Sequence, residues 1–379
     1  MSKKDVLVVG AMRSIIGSGR SDSHLLGLTM QDLTIQVLGA MFCRVIIPRS
    51  EVRSFKLGSV VSLKSASITQ APAKEIALLS HIPNASSNIA EKACSSGLRA
   101  IHEAEMSVRY EDCGFAVGAG VDLMSGASAE INDGALRDPI TKKSMAELSD
   151  EKARELGFSR DDYDLYALES FTRAKKHLEH YWDANYLTQI YVPGKGLSPH
   201  IDQNVTYREV TAESMAKMRK ISGCEITTFT SASKLGDGCG ALTLASPGSA
   251  KKRHRSPLAK ILGYAEHAEK ESKDFICAPV GAVQEALEIA KLPLSKIGSF
   301  WINEAFPSPP FYFMRTLNIP WEIVNPWGGA IAFGHPLGAT GAILCVNAIC
   351  QARKEGKKYV VVSVCNAIGE ATAMVFEIM

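Results

Sequence analysis

The chain has no long uninterrupted apolar run, no C-x-x-C pair and almost no net charge. The first absence excludes a membrane-spanning helix, which needs about 18 or more consecutive apolar residues. The second, with an odd count of nine cysteines, excludes a disulfide framework and a paired-cysteine metal site. It predicts reduced thiols in an intracellular protein and no bound metal. The third, 42 basic against 40 acidic residues, excludes a general nucleic-acid binder, which carries a strong basic excess. The one concentration of charge, Lys251-Lys252-Arg253-His254-Arg255, reads as a solvated connector or as a contact with a phosphorylated ligand.

What is present is apolar sequence in short alternating segments. At 379 residues the chain is too long for one small core, so two or three packed units are expected. Strand-like runs at Val6–Val9, Phe115–Val121, Leu258–Leu262 and Tyr359–Val364 alternate with helical stretches, which predicts an α/β fold. The strand at Val6 leaves no room before it for a signal or transit peptide, and the C-terminal Phe376–Met379 carries no peroxisomal tripeptide. Cytoplasm is the expected compartment, with the mitochondrion the alternative for a chain whose transit peptide was removed.

The two ends echo each other. Cys94-Ser95-Ser96-Gly97 opens a helix leading to Phe115, and Gly338-Ala339-Thr340-Gly341 opens one leading to Tyr359; Gly97 to Phe115 and Gly341 to Tyr359 are both 18 positions. Ser54–Gly58 likewise echoes Ser299–Asn303. Two echoes in one order predict a duplicated unit. Residues 126–225 are more polar and read as an insertion, with a helix from Arg160 to about His180 that Ser159 caps and Asp161 and Asp162 favour at its first turn. Other cysteines, such as Cys43, Cys345 and Cys350, read as core residues.

Four features carry chemistry. Cys94 stands at a helix start, where the helix dipole would lower its pKa and raise its nucleophilicity, and where backbone N–H groups could stabilise an oxyanion; the alternative is a buried structural thiol. His335 sits in the glycine-rich run Asn325–Gly338, a setting hard to explain by packing and suited to a general base or an oxyanion donor. Cys365 ends an apolar strand, where α/β enzymes place reactive groups, but taken alone it reads as a core cysteine before a reactive one. Asn303, opening Asn-Glu-Ala-Phe at 303–306, could orient a water or form a turn.

Together these segments resemble the thiolase family, in its order and at similar spacing: Ala-Cys-Ser-Ser-Gly at 93–97, Asn-Glu-Ala-Phe at 303–306, Gly-Gly-Ala-Ile-Ala-Phe-Gly-His-Pro at 328–336 and Cys365. Val8–Ser14, Ser159–Asp164, Ala167–Ser170 and Ala232-Ser233 with Asp237-Gly238 extend the resemblance over nearly the whole chain. It implies a five-layered α/β/α/β/α fold: an N-terminal half over 1–125 completed by 226–249, a loop domain over 126–225 and a C-terminal half over 250–379. It implies an acyl-CoA C-acyltransferase that uses coenzyme A as substrate, with no tightly bound cofactor and acyl-CoA and CoA as its ligands. By resemblance Cys94 takes the acyl group, activated by His335, and Cys365 moves the α-proton. His335 and a water on Asn303 form one oxyanion hole, and the N–H groups of Cys94 and Ala367 the other. Ser233, Arg208 and Phe306 contact substrate.

The chain also departs from the family. The stretch after Ser125 is shorter by roughly fifteen to twenty residues, on a scale loops tolerate, and it normally carries a tetramer-forming loop, so a homodimer is expected. Ser231 and Trp327 replace asparagines, Ala367 replaces a glycine and Glu370 a neutral residue. If position 367 requires a left-handed backbone, its Cβ costs on the order of 1 kcal/mol. The alternatives to an active thiolase are a weak hydrolase or decarboxylase on the same fold and a non-catalytic acyl-CoA-binding protein.

Overall fold

The computed structural model describes residues 5–65, 70–111, 113–178, 183–206 and 210–379. Its first strand, β1 (Val6–Ser14), is buried almost throughout, as a strand covered on both faces requires. Thr29 and Asp32 form a reciprocal capping box that starts α1 (Met30–Val45), whose Leu33, Val37, Met41 and Phe42 recur at helical spacing and are buried. Cys43 falls off that stripe and is exposed, not in the core as expected, whereas Cys345 and Cys350 are buried.

Next come β2 (Val52–Gly58), β3 (Ser86–Ala90), α2 (Ser96–Tyr110) and β4 (Phe115–Leu123), the three strands lying parallel. The polar middle contributes α3 (Met145–Glu155) and α4 (Arg160–Lys176). Ser159 and Asp162 box the start of α4 as expected, and the His177 N–H bonds to the Arg173 carbonyl after Lys176; His180, the expected end, lies outside the described residues. The chain then returns as β5 (Gly236–Ala245), antiparallel to both β4 and β1. The second half follows with β6 (Ala259–Ala268), α5 (Ala278–Ala290), β7 (Ser299–Ile302), α6 (Ser308–Leu317), α7 (Leu337–Lys354), β8 (Tyr359–Asn366) and β9 (Glu370–Ile378).

The spatial order is β3-β2-β4-β5-β1 and then β6-β9-β8-β7. The parallel pair β2/β4 is matched by β7/β8, and antiparallel neighbours follow each pair in the same sense. The echoes in the sequence are therefore a structural duplication. The halves join where Val6–Val8 of β1 pair with Ala259–Ile261 of β6.

Five layers result. Val117, Ala119 and Val121 of β4 face α1 in one apolar cluster, while the intervening Gly118 and Gly120 face α2 and α7. The central helix α7 also reaches the second half, where Gln351 accepts a bond from Ser299 Oγ (2.8 Å). Helix α5 packs on β6 and β9. The basic run is the end of the short helix Pro247–Lys252 and the turn after it, with Arg253 paired to Glu51 and Arg255 bonded to the Val45 carbonyl. Among the described residues no helix is long and apolar enough to cross a membrane.

Candidate active site

The site is built where the first turns of α2 and α7 touch. A Cβ on Gly97 would lie 2.6 Å from the Gly338 carbonyl oxygen, and one on Gly341 would lie 2.7 Å from the Leu98 nitrogen; only glycine permits that approach. Asp122, fully buried at the end of β4, secures the contact by accepting N–H bonds from Val61, Ser62 and, at 2.6 Å, Gly338. Cys94 and His335 each precede one of these helices by a few residues, so docking the helices brings both to one cleft.

Cys94, His335, Cys365, Ala367, Ser233 and Phe306 all line that cleft, which holds about 510 Å³ of open space. Asn303 stands behind it, with Nδ2 3.4 Å from His335 Nε2. Arg208 lies outside the described residues. The walls are apolar: Val60, Phe275 and Leu337, with Leu136 and Met145 contributed by the polar middle of the chain, so that segment does shape access to the site.

His335 Nδ1 lies 2.7 Å from Thr340 Oγ1 on the first turn of α7. With the Asn303 amide donating to Nε2, the ring proton is assigned to Nδ1 and donated to Thr340, leaving a lone pair on Nε2. Burial lowers the His335 pKa to about 4, so the ring is neutral near pH 7. Asn303 Oδ1 is buried without a partner among the described residues.

The thiols correct an expectation. Cys94 is not activated at rest by its helix start; burial, and then the negative charge of Asp122, push its pKa up to about 12. Among the described residues no cation features among the causes of that shift, and the one opposing contribution, a backbone hydrogen bond, is smaller than burial. Cys365 is also held above the usual thiol range, by burial and then by its neighbour Cys94. Thiolate fraction rises with pH until pH reaches the pKa. Alkylation of Cys94 by iodoacetamide in the free protein is therefore expected to climb about tenfold per pH unit from 7 to 10. A rate already level across that range would show a preformed thiolate–imidazolium pair.

Two structural features escaped the sequence reading. Glu304, in a run read as a possible turn, is a buried carboxylate that receives Tyr166 Oη (2.9 Å), Ser170 Oγ (2.7 Å), Asn325 Nδ2 (2.9 Å) and the Ile331 N–H (3.2 Å). It thereby ties α4 to the glycine-rich run that ends at His335. The second is the turn between β8 and β9. The left-handed residue there is not Ala367 but its neighbour Ile368, at φ 65°, so the strain expected at 367 falls on a β-branched side chain instead. Of the other departures, Ser231 Oγ accepts the Thr228 N–H at 2.9 Å and Trp327 Nε1 donates to Glu355 at 2.6 Å; both hold loops.

Comparison with known proteins gives the same answer. The family model for the thiolase N-terminal domain matches residues 6–247 and that for the thiolase C-terminal domain matches 255–378. Acetyl-CoA acetyltransferase IA of Candida tropicalis is 30% identical over 100% of this chain and 98% of its own. The crystal structure of the Bacillus anthracis acetyl-CoA acetyltransferase superposes with a TM-score of 0.94 at 26% identity, covering 100% of both chains. That of the Acat5 thiolase from Ascaris suum in complex with coenzyme A superposes with a TM-score of 0.90 at 28% identity, covering 99% of this chain and 100% of that one. This chain belongs to the thiolase family of acyltransferases.

Proposed function

We propose that the protein catalyses thiolysis of 3-ketoacyl-CoA such as acetoacetyl-CoA, and the reverse Claisen condensation of acetyl-CoA, through an acyl-enzyme on Cys94. The observation that carries this reading is the convergence of Cys94, His335 and Cys365, from three distant segments, on one cleft. In the thiolysis direction His335 Nε2 takes the Cys94 proton as sulfur attacks the C3 carbonyl. The C2–C3 bond breaks, and Cys365 gives its proton to C2 of the departing acetyl-CoA. Cys365 then takes the proton of free coenzyme A, whose sulfur displaces the acyl group from Cys94, and His335 returns the first proton.

The resting site holds a neutral imidazole and raised thiol pKa values, so charge separates only as substrate reacts. Stabilising it then falls to the oxyanion donors. The N–H groups of Cys94 and Ala367 serve one oxyanion. The other is served by His335 and a water on Asn303, whose unpartnered Oδ1 supplies the acceptor such a water needs. Ser233 and Phe306 border the cleft as substrate contacts, and Arg208 keeps that role by resemblance alone. Coenzyme A is the co-substrate.

The division into a first half over 1–125 completed by 226–249, a loop domain over 126–225 and a second half over 250–379 is supported by the return of β5 to β4. A homodimer is the proposed assembly; β3 ends the strand order, and its outer edge has no partner strand among the described residues. The compartment proposed is the cytoplasm.

Acetoacetyl-CoA consumption measured with and without free coenzyme A tests the activity. Loss that requires coenzyme A is expected. Equal loss without it would mean hydrolysis, and binding without turnover a non-catalytic acyl-CoA protein.

A further inference from the structure

A ring of hydrogen bonds encloses the Cys94 turn. Lys92 Nζ donates to Glu370 Oε2 (2.8 Å), and Asn366 Nδ2 donates to the same oxygen (3.1 Å). Asn366 Oδ1 accepts from Ser95 Oγ (2.9 Å). The main chain from Lys92 to Ser95, with Cys94 inside it, closes the ring. On the opposite side Asn366 and Glu370 are the paired residues flanking the turn that carries Ala367. Lys92 also meets Glu266 (3.2 Å), itself paired with Arg99 (2.7 Å). Burial opposes the Lys92 charge, but Glu370 and Glu266 outweigh it and hold its pKa above the usual lysine range.

Both turns are strained. Ala93, beside the nucleophile, has φ 44°, and Ile368, beside Ala367, has φ 65°; neither is glycine. Such conformations persist only where the surroundings over-determine them. The turns belong to different halves of the fold, so relaxing either one would move one N–H group relative to the other. An oxyanion hole works only if its donors converge on one point.

We propose that Lys92, Asn366 and Glu370 are positioning residues that fix the spacing between the backbone N–H groups of Cys94 and Ala367. The inference rests on reading those two groups as an oxyanion hole. It also gives a purpose to Glu370, a departure from the family pattern that the fold alone does not explain.

The test compares Lys92→Met, Glu370→Gln, their combination and Lys92→Arg in the whole 379-residue chain. Each single change is expected to lower kcat about tenfold with KM moved less than about twofold, since the lost interaction acts in the transition state. The double variant should be no worse than either single one, and Lys92→Arg should keep most of the rate. Peptide-level hydrogen exchange supplies the readout independent of turnover. Glu370→Gln should raise uptake across 92–97, and Lys92→Met across 366–371. Multiplying kcat losses in the double variant, or exchange that changes only beside each substitution, would overturn the proposal. Should the wild-type enzyme show no thiolase turnover, the catalytic reading fails, while the exchange arm still decides whether the ring couples the two turns.

Discussion

Cys94→Ala is expected to lower kcat for coenzyme A-dependent acetoacetyl-CoA cleavage by about 10³-fold or more, as removal of a covalent nucleophile does. The fold should survive. Cys94 packs at the edge of the core without a side-chain hydrogen bond to another residue among the described contacts, so losing one sulfur costs on the order of 1 kcal/mol. Cys365 is no substitute. It is buried in β8, and the proposed mechanism uses its thiol to protonate C2 of the departing acetyl-CoA. Steady-state kinetics with a melting curve on the same sample separates the two effects. A Cys94→Ala enzyme that kept a tenth of its turnover would remove the nucleophile from the account.

Glu304→Gln is expected to destabilise the protein by about 2–4 kcal/mol despite its equal volume, because it leaves a buried donor facing a donor. Oε1 receives Asn325 Nδ2 and Oε2 receives the Ile331 N–H, so either orientation of a glutamine amide points N–H₂ at another N–H. The Tyr166 and Ser170 hydroxyls can rotate; those two N–H groups cannot. Asn325 in turn is fixed by the Ile302 N–H on its Oδ1 (2.9 Å) and by its own bond to the Ile302 carbonyl (2.8 Å). Burial pushes the Glu304 carboxyl up, with Ser170, Tyr166, Ile331 and Asn325 acting against that. The midpoint of denaturant unfolding measures the loss. A variant within about 0.5 kcal/mol of the parent would show that Glu304 is protonated in the native protein and already donates.

Residues 94–97, 328–338 and the 18-position echo were legible because glycine spacing and strand periodicity are local patterns. They gave the duplication, the two central helices and the places of Cys94 and His335 at the helix starts, whereas Cys365 as a reactive group, Ser233, Phe306 and Ala367 were named through the family resemblance. What joins distant segments was not legible. Glu304 meets Tyr166 and Ser170 across more than 130 positions, with no repeat to announce it. The thiol pKa depended on which walls surround Cys94, and a helix start suggested the opposite sign. The strain at Ile368 follows from the pairing of Asn366 with Glu370, which leaves a three-residue turn with Ile368 at its centre; motif offsets alone pointed one residue too early.

The central claim is a covalent acyl group on Cys94. Wild-type protein mixed with acetyl-CoA, quenched in acid and digested, should carry one acetyl group on the peptide containing Cys94. The label should disappear on adding free coenzyme A and be absent from Cys94→Ala. An acetyl group found instead on Cys365 or another residue, or turnover with no adduct on Cys94 under any quench, would contradict the account.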